Sequence, residues 1–318
     1  MGRILVTGSM AYDYIMHFDD VFAKHILLDK INILNVSFTA HKMTKNLGGT
    51  AGNIAYSLKL LQESPVLFST VGRDFNEYRE NFERYGIDTS YVHVHENDWT
   101  ASAHIITDCE DNQITAFYGG AMLKNDIGIS PVLEREDVSL AIIAANGRDG
   151  MLRYARELKE KGIPYVYDPG QSLPSFQKDD LIALAKGAYI MVLNEYEIQL
   201  FLEKTGLAQE DLLKELSYLI VTQGEKGTVI YDRERKIPIQ VAQAREVVDP
   251  TGAGDAFRGG LLKGLLSGLS IETSVKLGSL AGCYAVEHEG TQNYHYTPAE
   301  FKRRWAENYG DLEDRLFS

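Results

Sequence analysis

The chain carries two kinds of apolar pattern. Ile4-Leu5-Val6 is a short continuous run that ends in Thr7-Gly8-Ser9, and it predicts a buried strand leaving into a loop. In Ile31–Phe38, by contrast, Ile31, Ile33, Leu34, Val36 and Phe38 nearly alternate with polar residues. Residues 91–95, 101–107 and 113–118 also read as short strands. Alternation marks strands with one wet face, so these segments predict a small, separate sheet. From about residue 139 the pattern changes to continuous apolar runs: Leu140–Ala145, Tyr165–Tyr167, Tyr189–Leu193 and Leu219–Thr222. Helical stretches at 149–161, 179–187 and 194–216 separate them, and two further helices are predicted at 254–267 and 271–288. Buried strands alternating with helices are the signature of a parallel sheet covered on both faces. The prediction is therefore one α/β body with a strand-rich accessory drawn from about 10–47 and 88–120. Ligands of such a sheet sit beyond the carboxyl ends of its strands, so the polar residues that follow each apolar run are the ones to inspect.

Composition narrows the function classes. At 318 residues and 44% hydrophobic, the chain is long enough for a large core without disulfides or a structural metal. A net charge of −13 argues against nonspecific nucleic-acid or anionic-membrane partners. The two cysteines, Cys109 and Cys283, form no CxxC pair, which excludes a zinc-thiolate site and fits a reducing, cytoplasmic setting. The N-terminus reads as a strand at once, not as a signal peptide. The stretch from Gly259 to Val286 is interrupted by Lys263, Glu272 and Lys276, so it is no membrane span. Neither GxxxxGK[ST], HExxH nor GxSxG occurs, and no GxGxxG follows the first strand.

The strongest chemical signal is Asp249-Pro250-Thr251-Gly252-Ala253-Gly254-Asp255, preceded by a short predicted strand at 246–248 and opening a helix. The amides of Gly252, Ala253 and Gly254 at a helix N-terminus would make an anion site. A carboxylate at Asp255 inside such a site repels a bound phosphate, but it suits deprotonation of a hydroxyl beside a transferring phosphoryl group. The same segment also fits a Gly-rich turn with an acidic cap. Gly48-Gly49-Thr50-Ala51-Gly52-Asn53 opens another helix; Gly49 and Asn53 suit a polyhydroxyl ligand, or a flexible connection. Asp13 follows the first strand and suits a vicinal diol, or solvent. In Asn194-Glu195-Tyr196-Glu197, Glu197 could hold Mg²⁺ through water, or the pair could cap a helix. Thr222, Gly224 and Gly227 form a turn where a nucleotide could approach the backbone. Asp168 and Gln171 follow a strand and are expected to face the crevice.

Together, and in this order, these segments resemble the ribokinase-like, or PfkB, carbohydrate kinases along nearly the whole chain. Asp249–Asp255 matches the family's DTxGAGD-like signature, with Pro250 inserted before the threonine. The resemblance implies an α/β ribokinase-like fold over 1–318, a central mostly parallel sheet between helices, with a small β-sheet lid. It implies transfer of the γ-phosphate of ATP to a hydroxymethyl group. Asp255 would be the base and Gly252, Ala253 and Gly254 the anion hole. Asp13, Gly49 and Asn53 would hold substrate hydroxyls, with Gln171 beside them. Asn194, Thr222, Gly224, Gly227 and Thr251 would line the ATP site, and Glu197 would position Mg²⁺. Helix 271–288 and the turn at Gly290 would flank adenine. Some members also use a monovalent cation near the Asp249 loop.

The stretch Ala101–Met122, together with Asp168-Pro169-Gly170-Gln171 and Ala256-Phe257-Arg258-Gly259-Gly260, is similar to the prokaryotic adenosine-kinase-like branch. A nucleoside base needs a flat apolar slot, and Phe38, Phe117 and Tyr12 are candidates to stack on it. The expectation is a nucleoside kinase; the alternative is a sugar kinase acting on ribose, fructose or a relative. An exposed strand edge in the lid would allow a homodimer.

Overall fold

The structure, a computed structural model, describes residues 2–26, 35–110, 112–124 and 126–310. Its strands are β1 (Arg3–Thr7), β2 (Ala11–Phe18), β3 (Ala40–Gly48), β4 (Val66–Gly72), β5 (Val92–His95), β6 (Ala101–Thr107) and β7 (Gln113–Tyr118). There follow β8 (Val138–Ile143), β9 (Tyr165–Tyr167), β10 (Ile190–Asn194), β11 (Tyr218–Thr222), β12 (Thr228–Tyr231) and β13 (Lys236–Ile239). The helices are α1 (Thr50–Leu60), α2 (Asn76–Tyr85), α3 (Ser130–Leu133), α4 (Arg148–Lys161) and α5 (Lys178–Ala185). The remainder are α6 (Glu195–Thr205), α7 (Gln209–Glu215), α8 (Ala253–Leu266), α9 (Ile271–Val286) and α10 (Pro298–Tyr309).

The large sheet has the order β13-β12-β11-β10-β9-β8-β1-β4-β5. It is parallel from β5 to β11, and β12 and β13 join antiparallel at one edge. Its strands are apolar on both faces because both faces are covered. Ile4 and Val6 pack into a layer with α1, α2, α8, α9 and α10, while Leu5 packs into the other with α4, α5, α6 and α7. The chain runs outward from β1 through β4 to β5, then returns to β8 on the other side of β1. That reversal opens a crevice at the carboxyl ends of β1 and β8. The loops that leave β1, β8, β9, β10 and β11 all emerge along this edge.

The small sheet has the order β3-β2-β6-β7. Its central pair, β2 and β6, is parallel, and the outer pairs are antiparallel. Among the described residues, no helix is long and apolar enough to cross a membrane.

Four expectations are corrected. The segment 91–95 is β5 of the large sheet, paired with β4 (Ser69 opposite Val92), so the accessory sheet draws on 101–118 and not on residues from 88. Within the expected strand 31–38, residues 31–34 lie outside the described residues and 35–38 have no regular structure. Ala40–Gly48 pairs with β2 instead; mostly polar and largely exposed, it carries no apolar alternation to betray it. The helical stretch 194–216 is two helices, α6 and α7, because Gly206 turns left-handed at φ 68° and ends the first. Residues 246–248 are not a strand: Val247 and Val248 are 68% and 51% exposed, and Val248 N–H bonds to Val286 at the end of α9.

Candidate active site

The Asp249 loop is stapled from both sides. Asp249 Oδ1 accepts the Thr251 N–H and Oδ2 accepts the Gly290 N–H, each at 2.9 Å. Burial works against this carboxylate, but those bonds outweigh it and hold it below the usual range. The loop then turns at Gly252, whose φ of 78° is left-handed, and a Cβ there would stand 3.0 Å from Thr291 Cβ. Helix α8 starts at the next residue. The Ala253 N–H closes the turn on Pro250 O at 3.3 Å. The N–H groups of Gly252 and Gly254 make no backbone bond outside the helix among the described residues. Two of the three amides expected in the anion hole are thus free to face a ligand, and the third is shared.

Asp255 follows in the first turn of α8. Its Oδ2 accepts Asn53 Nδ2 at 2.7 Å. Burial is the largest influence on it and pushes its carboxyl up to about 7. The Asn53 N–H and the Arg258 charge oppose that push, while Asp168 and Asp13 add to it. A carboxyl titrating there can take a proton at neutral pH and release it again.

Arg258, one turn along α8, explains why Asp168 does not face the crevice freely. Its guanidinium forks onto Asp168, with Nε to Oδ2 at 2.9 Å and Nη2 to Oδ1 at 3.1 Å, and Nη1 reaches Gly254 O at 3.1 Å. The side chains are 8% and 4% exposed. This buried pair ties the end of β9 to the start of α8, behind the anion loop. The resemblance marked Arg258 only as part of a stretch; its role needed the partner 90 residues away.

Asp13 projects from β2 toward the same place. It is near enough to Asp255 to raise that group, and burial, then the Asp249 charge, push Asp13 itself to about 6. Gly48 makes room for it: a Cβ there would lie 2.4 Å from Asp13 Oδ2. Gly49 has φ 87°, and its Cβ would meet Met10 Cα and Ser9 O at 2.6 Å, so the turn into α1 closes only on glycine. Asn53 is buried in that helix, with one amide hydrogen on Asp255 and Oδ1 held by Gln292 at 2.9 Å.

Three of the ATP-site candidates, Thr222, Gly224 and Gly227, line a cleft of about 970 Å³ that also takes in Pro250, Ala253 and Gly254 and runs along α9, whereas Asn194 and Thr251 are not among its lining residues. Thr222, Gly224 and Gly227 form one wall, and Cys283, Val286 and the exposed Val247 form another. Thr251 is exposed at the rim of the anion loop. Asn194 and Glu197 form a capping box on α6: Asn194 Oδ1 accepts the Glu197 N–H, and Glu197 Oε2 accepts the Asn194 N–H, both at 2.8 Å. Glu197 Oε1 makes no hydrogen bond among the described residues. Burial, with Asp168 nearby, raises this carboxyl despite the cap.

The aromatic candidates separate. Phe117 on β7 lies opposite Ala103, which lies opposite Asp13, so Phe117 and Asp13 share one face of the small sheet. Phe117 is 56% exposed there. Tyr12 is fully buried on the opposite face with its hydroxyl on Asp74 O at 2.8 Å, so it is core and cannot stack on a ligand. Phe38 packs on Phe18 and Phe22 at 4.9 and 5.0 Å between ring centroids, in an aromatic cluster of its own. Gln171 is exposed in a short 3₁₀ turn and makes no hydrogen bond among the described residues. Tyr78 and Gln292, which hold Asn53, carry no local motif; they meet across 214 positions.

The parallel sheet, the stapled anion loop and a carboxyl at the mouth of α8 define an α/β phosphotransferase of the ribokinase-like fold. The chain belongs to the pfkB family of carbohydrate kinases, whose profile matches residues 3–298. Its reaction is accordingly ATP-dependent phosphoryl transfer to a hydroxyl group. It is 31% identical over 296 residues to a nucleoside kinase of Methanocaldococcus jannaschii, covering 92% of this chain and 93% of that one. The nucleoside kinase of Burkholderia thailandensis in complex with inosine superposes with a TM-score of 0.88 at 36% identity, covering 98% of this chain and 100% of that chain. The same enzyme in complex with ADP-inosine gives 0.84 at 38% identity, covering 96% of each. Ribokinase of Thermotoga maritima shares the fold alone, with a TM-score of 0.79 at 20% identity over 96% of this chain and 99% of that one.

Proposed function

We propose that this chain is a nucleoside kinase that moves the γ-phosphoryl group of ATP to the hydroxymethyl group of a nucleoside. The observation that carries the reading is the shared face of Asp13 and Phe117 on the small sheet, with Asp13 near enough to Asp255 to raise its carboxyl. Asp13 would accept hydrogen bonds from the ribose diol while Phe117 stacks on the base. A free sugar lacks the planar π-face that a base would lay on that ring, and the nucleoside kinases of M. jannaschii and B. thailandensis are relatives across nearly the full chain.

The acceptor hydroxyl would give its proton to Asp255 Oδ1. Its oxygen would then form the new bond to the γ-phosphorus as the bond to the β–γ bridging oxygen breaks and ADP leaves with that electron pair. The amides of Gly252 and Gly254 would hold the charge that develops on the γ-phosphoryl oxygens, with Ala253 contributing through its shared N–H. Gly49 shapes the turn that brings Asn53 to the acceptor, and Asn53's second amide hydrogen would meet a substrate oxygen. The cleft along α9 would hold ATP against Val247 and Cys283, with Thr222, Gly224, Gly227, Thr251 and Asn194 toward its phosphates. Gln171, exposed on the turn after β9, would reach the substrate from the solvent side.

Among the described residues, no group of three acidic, histidine or cysteine side chains could hold a metal by itself. Glu197, half-buried, raised and with Oε1 unengaged, fits the one protein carboxylate that a phosphate-bound Mg²⁺ commonly uses, through water. When bound, that ion would neutralise phosphate charge. Asp249 staples the loop through both carboxylate oxygens, and a monovalent cation beside that loop would be a further element of the site. The small sheet would close over the acceptor as a lid and exclude water. Its edge strands β3 and β7, without a partner on their outer side among the described residues, would offer backbone to a second copy. The free thiols Cys109 and Cys283 fit a cytoplasmic enzyme.

The test is ADP release with adenosine, inosine, ribose and fructose at equal concentration. Nucleoside turnover well above sugar turnover is expected. Turnover with sugars alone would refute the substrate assignment and keep the Asp255 chemistry.

A further inference from the structure

Two buried side chains outside the motifs, Tyr78 and Gln292, stand behind Asp255. The Tyr78 hydroxyl donates to Gly48 O at 2.8 Å. A carbonyl only accepts, so this bond fixes the direction of the hydroxyl proton. The Tyr78 oxygen therefore accepts from its other neighbour, Gln292 Nε2, at 2.7 Å. The same amide nitrogen donates to Asn53 Oδ1 at 2.9 Å. Asn53 must then turn its own nitrogen the other way, where it donates to Asp255 Oδ2 at 2.7 Å. Each bond's direction follows from the one before, and the series is anchored on backbone.

Two further observations mark this series as built. Gln292 is 5% exposed, yet its Oε1 has no partner among the described residues. The molecule leaves one buried acceptor unmet and keeps both acceptors of the nitrogen. Gly52 clears the space: a Cβ there would lie 1.9 Å from Tyr78 Oη and 3.3 Å from Gln292 Nε2.

We propose that Gln292, held by Tyr78, is a positioning residue for phosphoryl transfer: it locks the Asn53 amide so that an N–H, and not the carbonyl, meets Asp255 Oδ2. That leaves Asp255 Oδ1 for the acceptor's proton. This rests on the reading of Asp255 as the base. The charged and titratable groups facing Asp255 are Asp13 from β2, Asp168 beyond β9, Arg258 on its own helix, Tyr78 on α2 and Tyr294 beyond α9. Asn53 is the group bonded to it that can present either polarity. If Asn53 turns, its oxygen faces the carboxylate and favours the protonated base.

The test uses the full chain with inosine and ATP, reading kcat/KM from pH 5.5 to 9 beside the melting temperature. Gln292→Met keeps the bulk and cannot donate. It is expected to move the acid limb up by about one pH unit, with kcat at pH 9 within about threefold of the unsubstituted enzyme. Tyr78→Phe removes only the anchor and should move the limb in the same direction by less; it decides the matter if Gln292→Met does not fold. An unmoved limb, or a loss of activity equal at every pH, overturns the proposal and leaves the two residues as packing. Should Asp255→Asn retain the acid limb, the base assignment itself falls, and this proposal with it.

Discussion

Replacing Asp255 by asparagine is the sharpest perturbation of the chemistry, because it removes the charge and keeps the shape. The new side-chain oxygen can still accept the Asn53 N–H that now bonds at 2.7 Å, so the helix start and the substrate contacts stay in place. What is lost is the proton acceptor. A positioned general base contributes about 10²–10⁴-fold, which is about 2.7–5.4 kcal/mol of barrier. Steady-state assays of ADP release should show kcat down by that factor with KM for ATP and nucleoside within about threefold. The pH profile adds an independent signature: burial pushes Asp255 up to about 7, so kcat/KM of the unsubstituted enzyme should fall below that pH, and the variant should lose that limb. Stability runs in the opposite direction. The folded carboxyl binds its proton up to about 7, whereas an unfolded aspartate releases it near 3.8, so ionisation of this group lowers stability progressively as pH rises between those values. The variant should therefore melt higher than the unsubstituted enzyme at pH 8, and the gap should shrink toward pH 4. A kcat within tenfold of the unsubstituted enzyme would refute the assignment, as would an acid limb that persists.

Other expectations follow from the same geometry. Arg258→Met strips the partner from buried Asp168 and should cost about 3–5 kcal/mol in urea unfolding, with Asp168→Asn added to it restoring part of the loss; an effect below about 1 kcal/mol would remove the pair from the framework. Asp13→Ala should raise the nucleoside KM about 10–100-fold, as loss of bonds to a charged acceptor does, and leave the ATP KM alone; an unchanged nucleoside KM takes Asp13 out of the site. Phe117→Ala should raise nucleoside KM by about tenfold, the worth of one stacked base, while any residual turnover of free ribose stays as it was. Equal losses on both acceptors would assign Phe117 to the sheet rather than to the base.

The large sheet was legible because parallel strands buried on both faces must be apolar at every position, and Ile4-Leu5-Val6 and Met191-Val192-Leu193 meet that demand locally. The small sheet was less legible. Ala40–Gly48 is a strand by backbone pairing to β2, with Lys42, Met43 and Lys45 in solvent or at its edge, so no burial requirement shaped its residues. Likewise 91–95 alternates as a strand of the small sheet would, yet it is β5 at the edge of the large sheet, where all four of its residues are half-buried.

The site divides along the same line. Gly49, Gly252 and Asp255 were readable because backbone shape and charge at a helix start are local demands: left-handed turns call for glycine, and the first turn of a helix favours a carboxylate. Side-chain orientation is not local. Tyr12 and Asp13 are neighbours in sequence, but strand pleating sends one into the core and the other toward Asp255. Arg258 finds Asp168 across 90 positions, and Gln292 finds Tyr78 across 214. The amino-acid order by itself thus determined the fold class, the glycine turn at Gly252 and the carboxylate at the start of α8, since each is imposed by residues a few positions apart. Only the tertiary structure decided what surrounds Asp255 and which way each hydrogen bond to it points, because those follow from contacts between elements that the chain brings together last.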